Sequence, residues 1–240
     1  MKGKLIVGGF NIGNFKDTPQ RTIEAIYSSD VIVAEHAEFF DYFLDIKNKK
    51  TNAEIINYLP ELNNKKDIIK KIVNYIFEGK NVLLIVQEGM PLINDPGFEI
   101  VKDVVESGLN ITVIPGPTAP ISALCVSGFS SDKFIFNSDI PEDPIEALKI
   151  FNELKNESRS VIFFDKTISI KRNLLLLSES VGGQRRVCIC INLTKEDERV
   201  ITTQINYMIE WVNSSGFEEV KLRDSKITLV VEGVINWAAW

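Results

Sequence analysis

Two loop segments carry residue types suited to gripping a small ligand. Gln87-Glu88-Gly89-Met90-Pro91-Leu92-Ile93-Asn94-Asp95-Pro96-Gly97 places two glycines and two prolines directly after the apolar run Val82–Val86. Pro115-Gly116-Pro117-Thr118-Ala119 follows the run Ile111–Ile114 in the same way. Glycine allows a ligand to approach the backbone closely and proline stiffens the approach, so fixed main-chain amides can hold a small molecule there. Asn-Asp-Pro-Gly is also an ordinary turn and helix-start sequence. One such loop is a weak signal; two on successive strands of one sheet would face each other across a crevice.

Other chemistries fail on spacing. In Gly8–Asn14 (GGFNIGN), Phe10 stands where a dinucleotide fingerprint needs its second glycine. Gly79-Lys80 lacks the upstream glycine of a phosphate loop and leads into a strand. Neither G-x-S-x-G nor H-E-x-x-H occurs. His36 is the only imidazole, so a histidine-based triad would have to use it, although a single His after a buried strand is more often structural. Cys125, Cys188 and Cys190 with one His cannot assemble a structural zinc cluster, and we expect no metal. Cys188 and Cys190 are two apart and on a strand share one face, as reduced core thiols.

The chain that must position these residues has 240 of them, with 45% hydrophobic content, which is enough to bury a full core. That length suits one large domain or two small ones. Twenty-seven basic against 33 acidic groups give a formal charge of −6, with a pI near 5.1. A grossly basic nucleic-acid coat is excluded, though a local basic patch is not. The N-terminus lacks the apolar core and cleavage site of a signal peptide, and no apolar run reaches the length of a membrane helix. The expectation is a soluble, cytoplasmic protein.

Strand and helix patterns alternate. Strands are expected at 4–8, 31–35, 54–59, 82–86 and 111–114, with helices at 20–27, to about 46 in an aromatic stretch, and at 64–77, 98–107 and 119–126. Thr18 reads as an N-cap with Pro19 at the first helical position. Repeated strand–loop–helix units imply a mostly parallel α/β sheet, on which ligands bind at the carboxyl ends of strands. The second half has fewer helices per strand: helices at 145–155, 168–180 and 207–213, and strands at 160–164, 186–193, 200–204 and 226–232. That predicts a mixed sheet. We set the domains at 1–116 and 117–240.

Ile12-Gly13-Asn14 with Asp17, Asp30–Glu35 (DVIVAE), Pro91–Gly97 (PLINDPG), Pro115–Ala119 (PGPTA), Leu193-Thr194-Lys195 and Leu229–Gly233 (LVVEG) resemble, in order and spacing, the tetrapyrrole-methylase superfamily. The likeness runs from Gly3 to about Gly233 and is greatest to the ribosomal branch, which 2′-O-methylates ribose in small-subunit rRNA. The resemblance implies S-adenosylmethionine as methyl donor, with S-adenosylhomocysteine as product. It also implies two α/β domains with the cofactor in the cleft between them, and a homodimer. By resemblance Gln87, Glu88, Gly89, Leu92, Thr118 and Ala119 contact the cofactor. Phe164, Ile191 and Val231 would reach it from second-domain strands, while Asn11, Ile12 and Gly13 would shape the mouth of the cleft. Glu35 and Lys195 are the expected catalytic residues beside the acceptor, with Glu88 a further possible base. Methyl transfer to a ribose hydroxyl is an in-line displacement governed by orientation and helped by a base, and it needs no metal.

Departures from the branch pattern cluster in loops. Glu38 stands where an arginine is usual, Gln87 where an aspartate is usual and Met90 where a threonine is usual. Ile140-Pro141-Glu142-Asp143 replaces a basic stretch, Asp165–Ser169 replaces Glu-Ser-Pro-His-Arg, and Arg199 replaces an acid. Arginine replaced by acid reverses the sign of a phosphate contact. Lysines remain at 47, 49, 50, 65, 66, 70 and 71. A different methyl acceptor, and a chain that binds S-adenosylmethionine or a partner without catalysis, therefore stay open. Trp211, Trp237 and Trp240 could supply apolar surface for a dimer.

Overall fold

The computed structural model describes residues 3–35, 51–59, 64–214, 217 and 225–234. The chain divides into two compact units, Met1–Thr118 and Ala119–Trp240. His36, Glu38, Lys47, Lys49, Lys50, Trp237, Trp240 and the aromatic stretch expected to about residue 46 lie outside the described residues.

In the first unit, β1 (Lys4–Gly8), β2 (Val31–Ala34), β3 (Glu54–Asn57), β4 (Asn81–Ile85) and β5 (Asn110–Ile114) form one sheet in the order β3-β2-β4-β1-β5. Every pairing is parallel. The near-continuous apolar strands are explained by helices on both faces. Leu5, Val7, Val33, Val82 and Leu84 pack with Ile69, Ile72 and Ile76 of α2 (Lys65–Phe77) and Ile100 and Val104 of α3 (Phe98–Glu106). Their alternates Ile6, Ile32, Leu83 and Ile85 pack with Ala25 and Ile26 of α1 (Gln20–Ser28) on the other face. The chain leaves β1 toward one edge and β4 toward the other, so the order reverses between these two neighbours. Their carboxyl ends form the switch point where open α/β sheets bind ligands.

At the start of α1 the expected cap is not made. Pro19 occupies the N-cap position without a side-chain hydrogen bond. The Thr18 hydroxyl instead accepts from Asn11 Nδ2 at 3.0 Å, so a loop contact outcompetes the cap.

The second unit begins with α4 (Ala119–Ser127) and holds a mixed sheet, β6-β7-β10-β8-β9. Its strands are β6 (Phe134–Asp139), β7 (Ser160–Lys166), β8 (Arg186–Ile191), β9 (Arg199–Gln204) and β10 (Lys226–Val231). Only β6 with β7 is parallel. The β6 strand is an addition to the sequence reading. Its Phe-Ile-Phe start is brief, Ser138 has φ 58°, and the register slips between Phe136 and Asp139. One face is covered by α5 (Pro144–Glu153), α6 (Ile170–Val181) and α7 (Ile205–Val212), through residues such as Phe151, Leu174 and Met208. No helix among the described residues is long and apolar enough to cross a membrane.

Candidate functional site

Along the carboxyl edge of the parallel sheet, the ends of β2, β4, β1 and β5 follow one another in space. The loops after β1, β4 and β5 are tied together by their main chains. Phe10 N–H donates to the Gly89 carbonyl at 2.7 Å, Gly89 N–H donates to the Asn11 carbonyl at 2.9 Å, and Gly9 N–H donates to the Ile114 carbonyl at 2.9 Å. Thr22 of α1, fully buried, donates its hydroxyl to the Gly9 carbonyl at 2.7 Å. Asn11 is also buried and spends its amide inside the loop: Nδ2 reaches Thr18, while Oδ1 accepts the Gly13 amide at 3.0 Å. Asn11 thus holds its own loop together. Ile12 is buried too, and one of its methyls lies 3.7 Å from where a Cβ on Gly89 would sit.

Two glycines permit the closest approach. A Cβ on Gly116 would meet Gly9 Cα at 2.8 Å and Phe10 N at 3.3 Å, while one on Gly9 would meet Gly116 Cα at 2.6 Å. Neither clash can be relieved by a side-chain rotation, because the obstacle is backbone. Met90 closes the junction, its Sδ accepting the Gly116 amide at 3.2 Å.

The β4 loop then turns sharply. Ile93 N–H donates to the Met90 carbonyl at 3.3 Å across Pro91-Leu92, with φ 73° at Leu92. Proline followed by positive φ is the type II arrangement, whose third position favours glycine. A leucine there costs about 1–2 kcal/mol, and Asn94 adds a second left-handed residue at φ 62°. Strain of this kind concentrates at ligand sites. Gln87, Glu88, Leu92 and Thr118 are half-buried on the same loops. Glu35, also half-buried, follows β2.

The second unit has a similar strained turn of its own. After β8, Lys195 N–H donates to the Asn192 carbonyl at 3.0 Å, with Asn192 at φ 49° and Thr194 at φ 67°. For a β-branched residue that is an outlier. Glu198 takes the Thr194 amide at 2.6 Å and Asp197 takes Asn192 Nδ2 at 2.9 Å, which fixes the half-buried Lys195. Ala119 is the first residue of α4. Phe164, half-buried, stacks edge-on to Phe136 at 5.1 Å. The Ile191 and Val231 side chains are buried in the core beneath α5–α7.

Behind Phe164, Asp165 is buried and accepts from Lys166 N (2.7 Å), Ser169 Oγ (2.6 Å) and Asn173 Nδ2 (3.0 Å to each oxygen). Burial pushes its carboxyl up, opposed by those hydrogen bonds and Arg172. Arg172 donates to Asn173 Oδ1 and to the carbonyls of Pro141 and Glu142, while Lys166 pairs with the Glu142 carboxylate at 2.8 Å. The loops that depart from the branch pattern at 140–143 and 165–169 are thereby knitted to each other.

Cys188 and Cys190 do share one face of β8, buried, with sulfurs 3.7 Å apart. The Cys190 hydrogen bond holds the Cys188 thiol below its usual value, and that contact together with burial pushes Cys190 up. No group of three potential metal ligands occurs among the described residues. On α2, Lys71 is paired with Glu54 at 2.6 Å, and Lys66 and Lys70 are exposed. Trp211 packs edge-on to Phe217 at 5.4 Å.

The sequence pointed to the loops but missed Thr22, whose only signal is a hydroxyl on the buried stripe of α1. It also gave no partner for Met90.

Known proteins share this architecture. The family model of the tetrapyrrole (corrin/porphyrin) methylases matches residues 4–208. Ribosomal RNA small subunit methyltransferase I of Rickettsia prowazekii is 32% identical over 98% of this chain and 80% of its own length. The Thermotoga maritima protein of the same name is 32% identical over 96% of this chain and 99% of its own. Among solved structures, a cobalt precorrin-4 methyltransferase superposes with a TM-score of 0.65 at 14% identity, covering 96% of this chain and 94% of that one, a likeness of fold. The chain belongs to the tetrapyrrole methylase family and is an S-adenosylmethionine-dependent methyltransferase.

Proposed function

We propose that this protein transfers a methyl group from S-adenosylmethionine to a ribose 2′-hydroxyl of small-subunit rRNA. The observation that carries the reading is near full-length likeness to relatives named for small-subunit rRNA methylation. The switch-point loops of the first unit supply a fitting site. Gly9 and Gly116 let the β1 and β5 loops pack backbone against backbone, Gly89 takes a positive φ, and the turn at Leu92 stores strain. Gln87, Glu88, Gly89, Leu92 and Thr118 would hold the cofactor, with Asn11, Ile12 and Gly13 shaping their loop; Ala119 and Phe164 are further proposed contacts. Bound there, S-adenosylmethionine supplies an electrophilic methyl on a sulfonium.

The protein's own work is orientation and proton handling. Glu35 takes the acceptor hydroxyl proton, with Glu88 the alternative carboxylate, and Lys195 steadies the developing negative charge on oxygen. A small-molecule acceptor is the second reading, favoured by the acid at Glu142 beside Lys166. We further infer a cytoplasmic homodimer. Ile111 and Val113 on edge strand β5 are 41% and 52% exposed, and Phe98 and Val105 of α3 are 66% and 57% exposed. Apolar surface of this kind on an edge strand calls for a cover. Sedimentation at micromolar concentration should give twice 27.1 kDa; a monomer refutes the dimer.

The test of the activity is methyl-labelled S-adenosylmethionine with 30S subunits. Expected is label in 16S RNA that survives alkaline hydrolysis as a dinucleotide, since a 2′-O-methyl group blocks strand cleavage. Glu35→Gln should lower the rate roughly 10²–10⁴-fold. Tight S-adenosylhomocysteine binding without RNA label would move the protein to the second reading.

A further inference from the structure

We propose that Met90 is a positioning residue for the S-adenosylmethionine site, an inference that rests on the reading above. Methionine sulfur is a weak acceptor, yet Met90 Sδ sits 3.2 Å from Gly116 N, the amide at the bend of the β5 loop. A Cβ built on Gly9 would come within 2.5 Å of that sulfur and 2.6 Å of Gly116 N. Gly9, Met90 and Gly116, one from each of the three loops, therefore occupy a single junction.

The β1 loop has main-chain ties on both sides, to Gly89 and to Ile114. The Met90 sulfur adds a direct tie from the β4 loop to the β5 loop. Met90 also provides the carbonyl that closes the strained turn at Leu92, through Ile93 N–H. One residue thus sets the start of the turn with its backbone and anchors that start with its side chain. The long, unbranched thioether reaches across where a threonine, usual at this position in the resembling branch, would be too short to follow the same path. Met90 acts on the cofactor through these loops and touches none of the reacting atoms.

The experiment compares Met90→Leu and Met90→Gln with the full-length wild type, by calorimetric S-adenosylhomocysteine binding and by hydrogen exchange at the Gly116 amide. Leucine keeps the apolar volume and loses the acceptor; glutamine keeps similar length and offers a carbonyl oxygen. Expected for leucine is an affinity weaker by roughly five- to tenfold, the worth of one net hydrogen bond, with faster exchange at Gly116. Glutamine should stay within about twofold of wild type on the same scale. With S-adenosylmethionine and 30S subunits, leucine should raise KM for the cofactor and leave kcat unchanged. Leucine binding as tightly as wild type overturns the proposal and leaves the cofactor site standing. Glutamine failing as badly as leucine overturns it too, since packing and not the acceptor would then decide. A wild type that binds no S-adenosylhomocysteine overturns the cofactor reading and this inference with it.

Discussion

The two units hold their functional loops by opposite means. In the first, the loops after β1, β4 and β5 are joined by main-chain amides and carbonyls across glycine contacts too close for any side chain. In the second, the loops at 140–143 and 165–169 are joined by side chains: Arg172 on two carbonyls, Lys166 on Glu142, and Asp165 on Ser169 and Asn173. A backbone-built site tolerates exchange of a side chain such as Gln87, provided the glycines stay. A side-chain-built loop changes its surface whenever its network changes. This accounts for departures from the branch pattern in both places while the loops of the parallel sheet keep their glycine contacts. Both units pay with a non-glycine residue in a left-handed turn, Leu92 in one and Thr194 in the other.

The largest effect expected from this contrast is at Gly116. Gly116→Ala drives a Cβ into Gly9 Cα at 2.8 Å, where only backbone can give way. The predicted loss is about 1–3 kcal/mol of stability. Affinity for S-adenosylhomocysteine should fall roughly a hundredfold, the order expected when a site shifts by about 1 Å. Gly128→Ala in the second unit is the control. Its added Cβ meets nothing within 4 Å, although φ is 76°. It should cost about 1 kcal/mol through the backbone and leave binding intact. Thermal unfolding and calorimetry on both variants read the difference. Equal binding losses would mean that close approach at Gly116 does not set the affinity.

The parallel sheet and its two loops were legible because all-apolar strands bounded by glycine and proline leave few other folds. The ties between loops were not. Phe10 to Gly89 and Met90 to Gly116 join backbone or sulfur atoms far apart in sequence, and no periodicity encodes them. The faces of β8 and β10 show a second limit. RVCICI and KITLVV are apolar at nearly every position, so alternation could not say which residues face the helices. The β6 strand escaped for the converse reason: its residues are mostly exposed or half-buried, and its irregular end hides the strand period.

A smaller effect sharpens the comparison from the side-chain-built unit. Asp165 has its carboxyl raised by burial despite its hydrogen bonds. A group raised on folding adds stability that is fully present below the unfolded value, here 3.8, and is lost as pH climbs through the folded value. The charged carboxylate is thus a net burden at neutral pH, one the Ser169 and Asn173 bonds reduce without cancelling. Asp165→Asn removes the titration but leaves the donors of Lys166, Ser169 and Asn173 with one acceptor oxygen fewer. A constant cost of about 1–3 kcal/mol follows from that unpaired group. The pH-dependent part has the opposite sign: the variant should fall furthest behind wild type near pH 4 and recover part of the gap by pH 7.5. Melting curves at the two pH values decide it. A gap that widens toward pH 7.5 would show that the network stabilises the ionised carboxylate outright, making the second unit's loops as well supported by charge as the first unit's are by backbone.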